Sequence, residues 1–545
     1  MLVHRSPRTP AGTLRPPDQL SPGERVSPLL YQALAMGVYL LVMLAIGWYS
    51  YRRTHSLDGY MLGERDLSPS VAALSAGAAD MSGWLLMGLP GAIYASGLVE
   101  GWIAVGLTVG AWLNWKFVAP RLRAYTEVAS NSITVPSFLE NRLHDSSRAL
   151  RIASGLIILA FFTFYVSSGL VASGVFYEST FGRGYHEGLL LIGAVTIAYT
   201  LFGGFLAVSY TDFVQGVMMV SALVALPIVG LTKVGAVQGV VDAAHAASPH
   251  HLSMVAGASA VGTISALGWG LGYVGQPHII VRFMALRNAQ DAVAGRRIGI
   301  AWMIFSVLGA GATALVGLAY FHQAGTPLTG TASETVYIRL GQAIFHPIVA
   351  GFMLAAVLAA IMSTISSQLL VTSSALVEDL YRARVESRGV RHEDRYYVLL
   401  SRLAVLAVSL VALALAWEQN ATILRLVAFA WAGFGAAFGP TVLLSLYWRR
   451  LTAWGALAGM ITGALTVALW GPSTTWGGGR ADALFGIYEI LPGFALNLVV
   501  AVVVSLLTYR PSPRIEEEFD RMTVLSTRLA DPDAAASISG DDTVA

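Results

Sequence analysis

The stretch from Ser75 to Gly91, SAGAADMSGWLLMGLPG, sets an acid, Asp80, and two hydroxyls, Ser75 and Ser82, inside a long apolar run. An acid at mid-membrane costs at least about 2.5–3.5 kcal/mol on insertion scales. Gly77, Gly83, Gly88 and Pro90 weaken the same helix, each Gly by roughly 1 kcal/mol relative to Ala. The segment reads as a broken transmembrane helix that offers backbone carbonyls near Ala78 and Met81 to a small hard cation. The competing reading is an ordinary kinked span packed through its small residues. Far along the chain, Ser363 and Thr364 stand side by side in IMSTISS. With the carbonyl of Ala360 one turn earlier, their hydroxyls could complete an oxygen shell. Back-bonding to their own helix is the alternative for both. Asp80 is the one acid read well inside a span, either as a charge that supports the cation or as a structural acid with an unseen donor. Asp212, in VSYTD, reads as lying at a cytoplasmic helix entry, where N-capping is the simplest role.

A second cluster is aromatic. Trp269, Tyr273 and Pro277 recur at i, i+4 and i+8, one face of a continuous helix. Tyr165, in FFTFYVSSG, could meet that face. Aromatic walls with a few polar tips suit a small amphipathic organic molecule; lipid-facing or packing aromatics are the alternative. Pro277 removes a backbone hydrogen bond, and Gly268, Gly270, Gly272 and Gly275 loosen the same region.

These residues must be carried by membrane helices. Of 545 residues, 55% are hydrophobic and only 12% charged. Apolar runs of about 20 residues, the length of a spanning helix, recur from Leu29 to Thr508. The expected fold class is all-α and polytopic, with about 13 spans. They lie near 29–49, 69–93, 101–119, 152–178, 187–207, 212–231, 255–280, 299–321, 346–373, 397–417, 423–447, 455–470 and 487–508. Residues 1–28 read as a disordered tail rather than a signal peptide, and 509–545 as a second, cytoplasmic tail. Arginines concentrate in the loops after spans one, three, seven, nine and eleven, Arg65 and Arg282 among them. That side should be cytoplasmic, which puts the amino terminus outside and the carboxy terminus inside. The arginines of the first tail run against this, but one segment weighs less than a pattern repeated in five loops. A formal net charge of +2 and the lack of a basic tract give no sign of nucleic-acid binding. Cysteine is absent, which excludes disulfides and thiol chemistry, and the histidines show no metal-ligand spacing.

SALGWGLGYVGQP in the seventh span echoes the opening stretch: Ser-Ala first, an early Gly-Trp, and Gly-x-Pro at the end. Five spans separate the two, so they cross in opposite senses, as in inverted-repeat transporters. At this point the chain resembles the sodium:solute symporter family, and its proline branch most closely. The resemblance covers about residues 28–510. It rests on SAGAADMSGWLLMGLPGAIYASGLVEGWIA, GGFLAVSYTD, GWGLGYVGQPHI, LAAIMSTISSQLL with the following EDLY, and AWAGFGAAFGP.

The resemblance implies two inverted five-helix repeats of the LeuT-like kind, about 69–231 and 255–447, within a transporter domain of 29–508. Extra helices would lie at 29–50, 455–470 and 487–508. It implies a co-transported sodium ion held by the carbonyls of Ala78, Met81 and Ala360 and the hydroxyls of Ser363 and Thr364, with Asp80 and Ser82 supporting. It assigns Tyr165, Trp269, Tyr273 and Pro277 to a proline site beside Gly83 and Trp84, and gives Arg65 and Asp212 a part in coupling. Ala79 stands where a serine is usual and Val166 where a cysteine is common. The implied activity is import of L-proline with sodium across a bacterial plasma membrane. It needs no covalent step, so no enzyme is expected, and the mechanism does not require an oligomer. A sodium- or proton-coupled symporter of another small solute, such as pantothenate or a small carboxylate, is the alternative.

Overall fold

Helix occupies each of the apolar segments, in a computed structural model that describes residues 22–52, 61–386, 389, 392–418, 422–470 and 486–527. Helix α1 runs Pro22–Tyr51. The second segment is split into α2 (Pro69–Asp80) and α3 (Leu89–Ser96). Then come α4 (Gly101–Leu113), α5 (Ala119–Val128), α6 (Val135–Leu143) and α7 (Ala149–Phe181). Helix α8 (Tyr185–Leu231) contains the fifth and sixth segments, joined by a sharp kink at Gly204, whose φ of 61° suits a residue without a Cβ. The seventh segment is again split, into α9 (Ala260–Gly268), a 3₁₀ stretch Trp269–Gly275, and α10 (Pro277–Met284). The remaining long helices are α11 (Asp291–Gln323), α12 (Pro347–Ser374), α13 (Asp394–Leu415), α14 (Ile423–Tyr447), α15 (Ala453–Trp470) and α16 (Ile490–Thr508).

Nine helices among the described residues are long and apolar enough to cross a membrane. The split segments fall short of that length for the reason the sequence suggests, since Gly and Pro interrupt them. The only β pairing among the described residues is a single bridge between Leu67 and Leu286. α1 and α13 present large apolar side chains outward, Leu41 and Leu410 for example. α7, α12 and α14 are buried nearly all round and form the centre of the bundle.

Two expectations at the chain ends need correction. Residues 22–28 belong to α1 and are helical rather than tail, while residues 1–21 lie outside the described residues. After the last span, residues Pro513–Thr527 form α17, whereas a tail was expected; 528–545 lie outside the described residues. Helix α17 is highly charged, so its sequence hides the reason it folds. Phe519 and Met522 are buried, and Phe519 packs edge-on against Tyr125 of α5 and beneath the guanidinium of Arg142.

Local packing is closest where glycines face each other. A Cβ on Gly110 of α4 would lie 2.2 Å from the carbonyl oxygen of Gly270. The 3₁₀ stretch therefore lies backbone to backbone against α4, and Asn114 pins it there by donating to the carbonyl of Tyr273 at 3.0 Å.

Candidate functional site

The break in the second segment frees two carbonyls. In an unbroken helix Ala78 would accept from the amide of Ser82 and Met81 from that of Leu85. Met81 instead takes φ −84°, ψ 78°. The Ser82 amide turns to Asp80 O at 3.0 Å and the Leu85 amide to Ser82 O at 3.1 Å. The chain then passes through a wide π turn, Trp84–Gly88, before α3 begins. Ser82 Oγ accepts from the Trp84 amide at 3.4 Å, and the Trp84 indole donates to Asp80 O at 3.2 Å. Both hold the break open. Gly83 lets it approach α7 and α12, since a Cβ there would meet Ala172 at 3.0 Å.

Helix α12 brings its hydroxyls to one of these freed carbonyls. Ser363 Oγ donates to Ala78 O at 2.7 Å and lies 3.1 Å from Ala360 O. Thr364 Oγ1 lies 3.5 Å from Ala78 O and 3.2 Å from Ala360 O. Ala78, Ala360, Ser363 and Thr364 are thus brought together, with the Met81 carbonyl released at the end of α2. The back-bonding alternative is also present, as the contacts to Ala360 show. The same two hydroxyls reach across to α2, which back-bonding alone does not require.

The Asp80 carboxylate makes no hydrogen bond to this cluster. Its Oδ2 accepts from the Tyr273 hydroxyl, while Oδ1 has no partner among the described residues. Both residues line a small cavity of about 20 Å³ with Gly77, Asn114, Trp302 and Met303, room for about one water. Asp80 and Tyr273 of the aromatic cluster are therefore one hydrogen-bonded pair.

The aromatic cluster is larger than the sequence spacing suggests, and differently arranged. Trp269 stacks on Tyr488 at 5.3 Å and on Trp431 at 6.4 Å, and approaches Trp84 at 6.5 Å. Trp431 meets Tyr273 edge-on at 5.1 Å and donates to Trp269 O at 2.8 Å. The i, i+4, i+8 face does not exist, because Gln276 is extended (φ −83°, ψ 105°) and divides the segment. Pro277 opens α10 beyond that division and lines a separate cavity with Thr134, Phe205, Val281 and Asp379. Tyr165 is buried, lies edge-on to His278 at 5.9 Å, and its hydroxyl has no partner among the described residues. Trp431, Tyr488 and His278 were missed. Trp431 lies in the quoted motif AWAGFGAAFGP, and His278 follows Pro277 directly.

Asp212 was misplaced. It is no helix-entry cap but sits well inside α8, fully buried, so Asp80 is not the sole acid within a span. Its partner is Arg282, read from the sequence as a loop arginine but also fully buried, in α10, with Nη2 3.2 Å from Asp212 Oδ2. Ser75 Oγ donates to the same oxygen at 2.8 Å, and Arg282 reaches Ser75 at 3.1 Å and Ser367 at 2.6 Å. One ion pair thereby ties α2, α8, α10 and α12 together. Arg65 holds the C-terminus of α10. It donates to Met284 O at 3.2 Å, to Thr126 Oγ1 at 3.2 Å and to Ser132 O at 2.6 Å. A guanidinium at a helix C-terminus satisfies carbonyls that lack intrahelical donors. Arg65 and, through Arg282, Asp212 therefore both act on the last turn of one short helix.

A multi-pass helical bundle with two interrupted helices, freed carbonyls in one facing hydroxyls on another, defines a secondary transporter of LeuT-like fold. Comparison with known proteins agrees. The model of the sodium:solute symporter family matches residues 60–463. The high-affinity proline transporter PutP of Bacillus subtilis (strain 168) is 56% identical over 478 residues, 88% of this chain and 98% of that protein. A sodium/proline symporter of Staphylococcus aureus (strain bovine RF122 / ET3-1) is 49% identical over 493 residues, 90% of this chain and 95% of that one. A solved structure of a Na+-coupled sialic acid symporter superposes with a TM-score of 0.72 at 18% identity, covering 89% of this chain and 99% of its own. That likeness speaks for the fold alone. The chain belongs to the sodium:solute symporter family.

Proposed function

We propose that this chain imports L-proline with sodium across a bacterial plasma membrane by alternating access. The observation that carries the reading is the pair of carbonyls freed at Ala78 and Met81, one of them met by Ser363 and Thr364, beside the Trp269–Trp431 aromatic wall. The names of the relatives at 56% and 49% identity supply the solute. Sodium is cargo here, and an all-oxygen donor set suits a hard cation.

In this reading the carbonyls of Ala78, Met81 and Ala360 and the hydroxyls of Ser363 and Thr364 hold the ion. Its arrival draws the break of α2 against α12. Asp80 and Ser82 shape that break. Asp80 also transmits its state to Tyr273, and so to the proline site formed by Tyr165, Trp269 and Tyr273 with Gly83 and Trp84 alongside. Pro277, beyond the second break, borders the inner path. Arg65 and the Asp212–Arg282 pair hold α10 shut at that end until both cargoes are bound. The sodium gradient and membrane potential drive the cycle, the latter worth about 2.3 kcal/mol per elementary charge per 100 mV.

The transporter domain spans 29–508. Repeat one is about 69–231 and repeat two about 255–447, with helices 29–50, 455–470 and 487–508 outside the repeats. The amino terminus is outside and the carboxy terminus cytoplasmic. One chain in the bilayer suffices for the mechanism.

Uptake of labelled proline into vesicles tests the reading, with sodium replaced by choline at fixed pH and a panel of competing solutes. Sodium-dependent uptake competed only by proline is expected. Undiminished uptake in choline would point to proton coupling, and no proline uptake at all would sink the assignment.

A further inference from the structure

A cavity of about 230 Å³ on the flank of the bundle is lined by none of the site residues described above. Gly37 and Leu40 of α1, Phe176 of α7, Leu191 of α8, and Leu358 and Met362 of α12 line it. The wall is apolar almost throughout. An apolar cavity of even about 150 Å³ stays dry and takes up apolar guests. Its surroundings name the guest. Leu191, on its rim, is 54% exposed, and Leu41, next along α1, is 67% exposed. Both belong to the apolar outer surface that a multi-pass protein turns to lipid, so the cavity adjoins the lipid-facing side of the bundle.

Its inner wall matters for a second reason. Met362 directly precedes Ser363 and Thr364. The Tyr199 hydroxyl donates to Met362 O at 2.8 Å. The Tyr39 hydroxyl, itself receiving Gln215 Nε2 at 2.7 Å, lies 3.9 Å from Met362 Sδ. Met362 is therefore held from α1 and α8, and a guest in the cavity would bear on it directly. In a close-packed interior a filled void passes load to its neighbours, whereas an empty one lets them relax into it.

We propose that this cavity binds an acyl chain of a bilayer phospholipid, and that the chain buttresses Met362 behind Ser363 and Thr364. The second half rests on the sodium site proposed above. Two glycines of α1 make the test. A Cβ on Gly37 or on Gly47 meets nothing within 4 Å, so both accept a side chain, but only Gly37 lines the cavity.

Native mass spectrometry of purified wild type, Gly37→Leu and Gly47→Leu reads the first half without reference to transport. Wild type and Gly47→Leu should retain a tightly held phospholipid that Gly37→Leu loses. Equal retention by all three would overturn the proposal. So would loss of a dimer in Gly37→Leu, since the occupant would then be a second copy of the chain. The second half is read on the wild type in dioleoyl and diphytanoyl vesicles, the methyl-branched chains of the latter being too wide to enter. The half-saturating sodium concentration should rise about fivefold in diphytanoyl lipid, at the low end of ordinary coupling. Gly37→Leu should show one value in both lipids. A wild type indifferent to the lipid, or a variant that tracks it, would refute the buttress. Absence of sodium-dependent uptake in either lipid would instead count against the proposed function, leaving the retention result to stand alone.

Discussion

At the scale of the residue, the hydroxyls of α12 and the backbone of α2 divide the work. Ser363 Oγ reaches Ala78 O at 2.7 Å, closer than Thr364 Oγ1 at 3.5 Å. Ser363→Ala should raise the half-saturating sodium concentration about tenfold, equivalent to about 1.4 kcal/mol, with little change in proline affinity at saturating sodium. Trp269→Ala should do the reverse. Sodium and proline titrations of uptake separate the two, and two variants indistinguishable from wild type would remove the site assignment. The Asp212–Arg282 pair is a harder case. Breaking one partner of a buried ion pair typically costs about 3–5 kcal/mol, whereas replacing both is far milder. Asp212→Asn and Arg282→Gln should each lower the thermal midpoint of the purified protein more than the double variant does. Additive losses would show that the two do not act as a pair. Polar residues within apolar runs made Ser363, Thr364 and Asp80 legible in the sequence. Arg282 was not legible, because an arginine near a span end looks the same whether it faces the cytoplasm or turns inward.

At the scale of the element, the two breaks were visible as clusters of Gly and Pro, and both occur. The finer shape was not. A spacing of four suggests a helical face only if the helix continues, and Gln276 ends it. The caps at helix starts also matter. Glu334, in the turn before a short helix Val336–Ile344, is buried and points its carboxylate at the first amides of α14, 3.3 Å from Ile423 N and 3.5 Å from Leu424 N. Its backbone packs against Gly91, where a Cβ would meet Glu334 Cα at 2.8 Å. Burial pushes this carboxyl up to about 7, against the opposing pull of the two amides. A carboxyl raised on folding contributes stability that is complete below its ordinary value of 4.5 and is lost as pH rises through about 7. The thermal midpoint of wild type should therefore fall between those pH values relative to Glu334→Gln. Parallel pH profiles would mean that Glu334 is not buried in this way.

At the scale of the whole molecule, hydropathy made the helical bundle legible, and arginine bias is the ground for the proposed orientation. Neither could give the docking of α17, which rests on the buried Phe519 and Met522 and on ion pairs such as Arg449–Asp520 in a helix rich in charge. The native chain lacks cysteine, which makes the orientation directly testable. Thr326 and Glu517 are both exposed, in the turn after α11 and on α17. An impermeant maleimide should label Thr326→Cys in intact cells, and Glu517→Cys only after permeabilisation. The opposite pattern would invert the proposed topology.

The break in α2 has a consequence for genetics. Three of the five oxygens proposed for sodium are main-chain carbonyls, present whatever residue occupies positions 78, 81 and 360. A selection for clones that have lost sodium dependence would seldom return those positions. It would return Ser363 and Thr364, and beyond them the codons that keep the chain unwound: Ser82, Gly83 and Trp84. The ion site would thus show up in a mutational map as the residues that bend the backbone, with its own ligands largely silent.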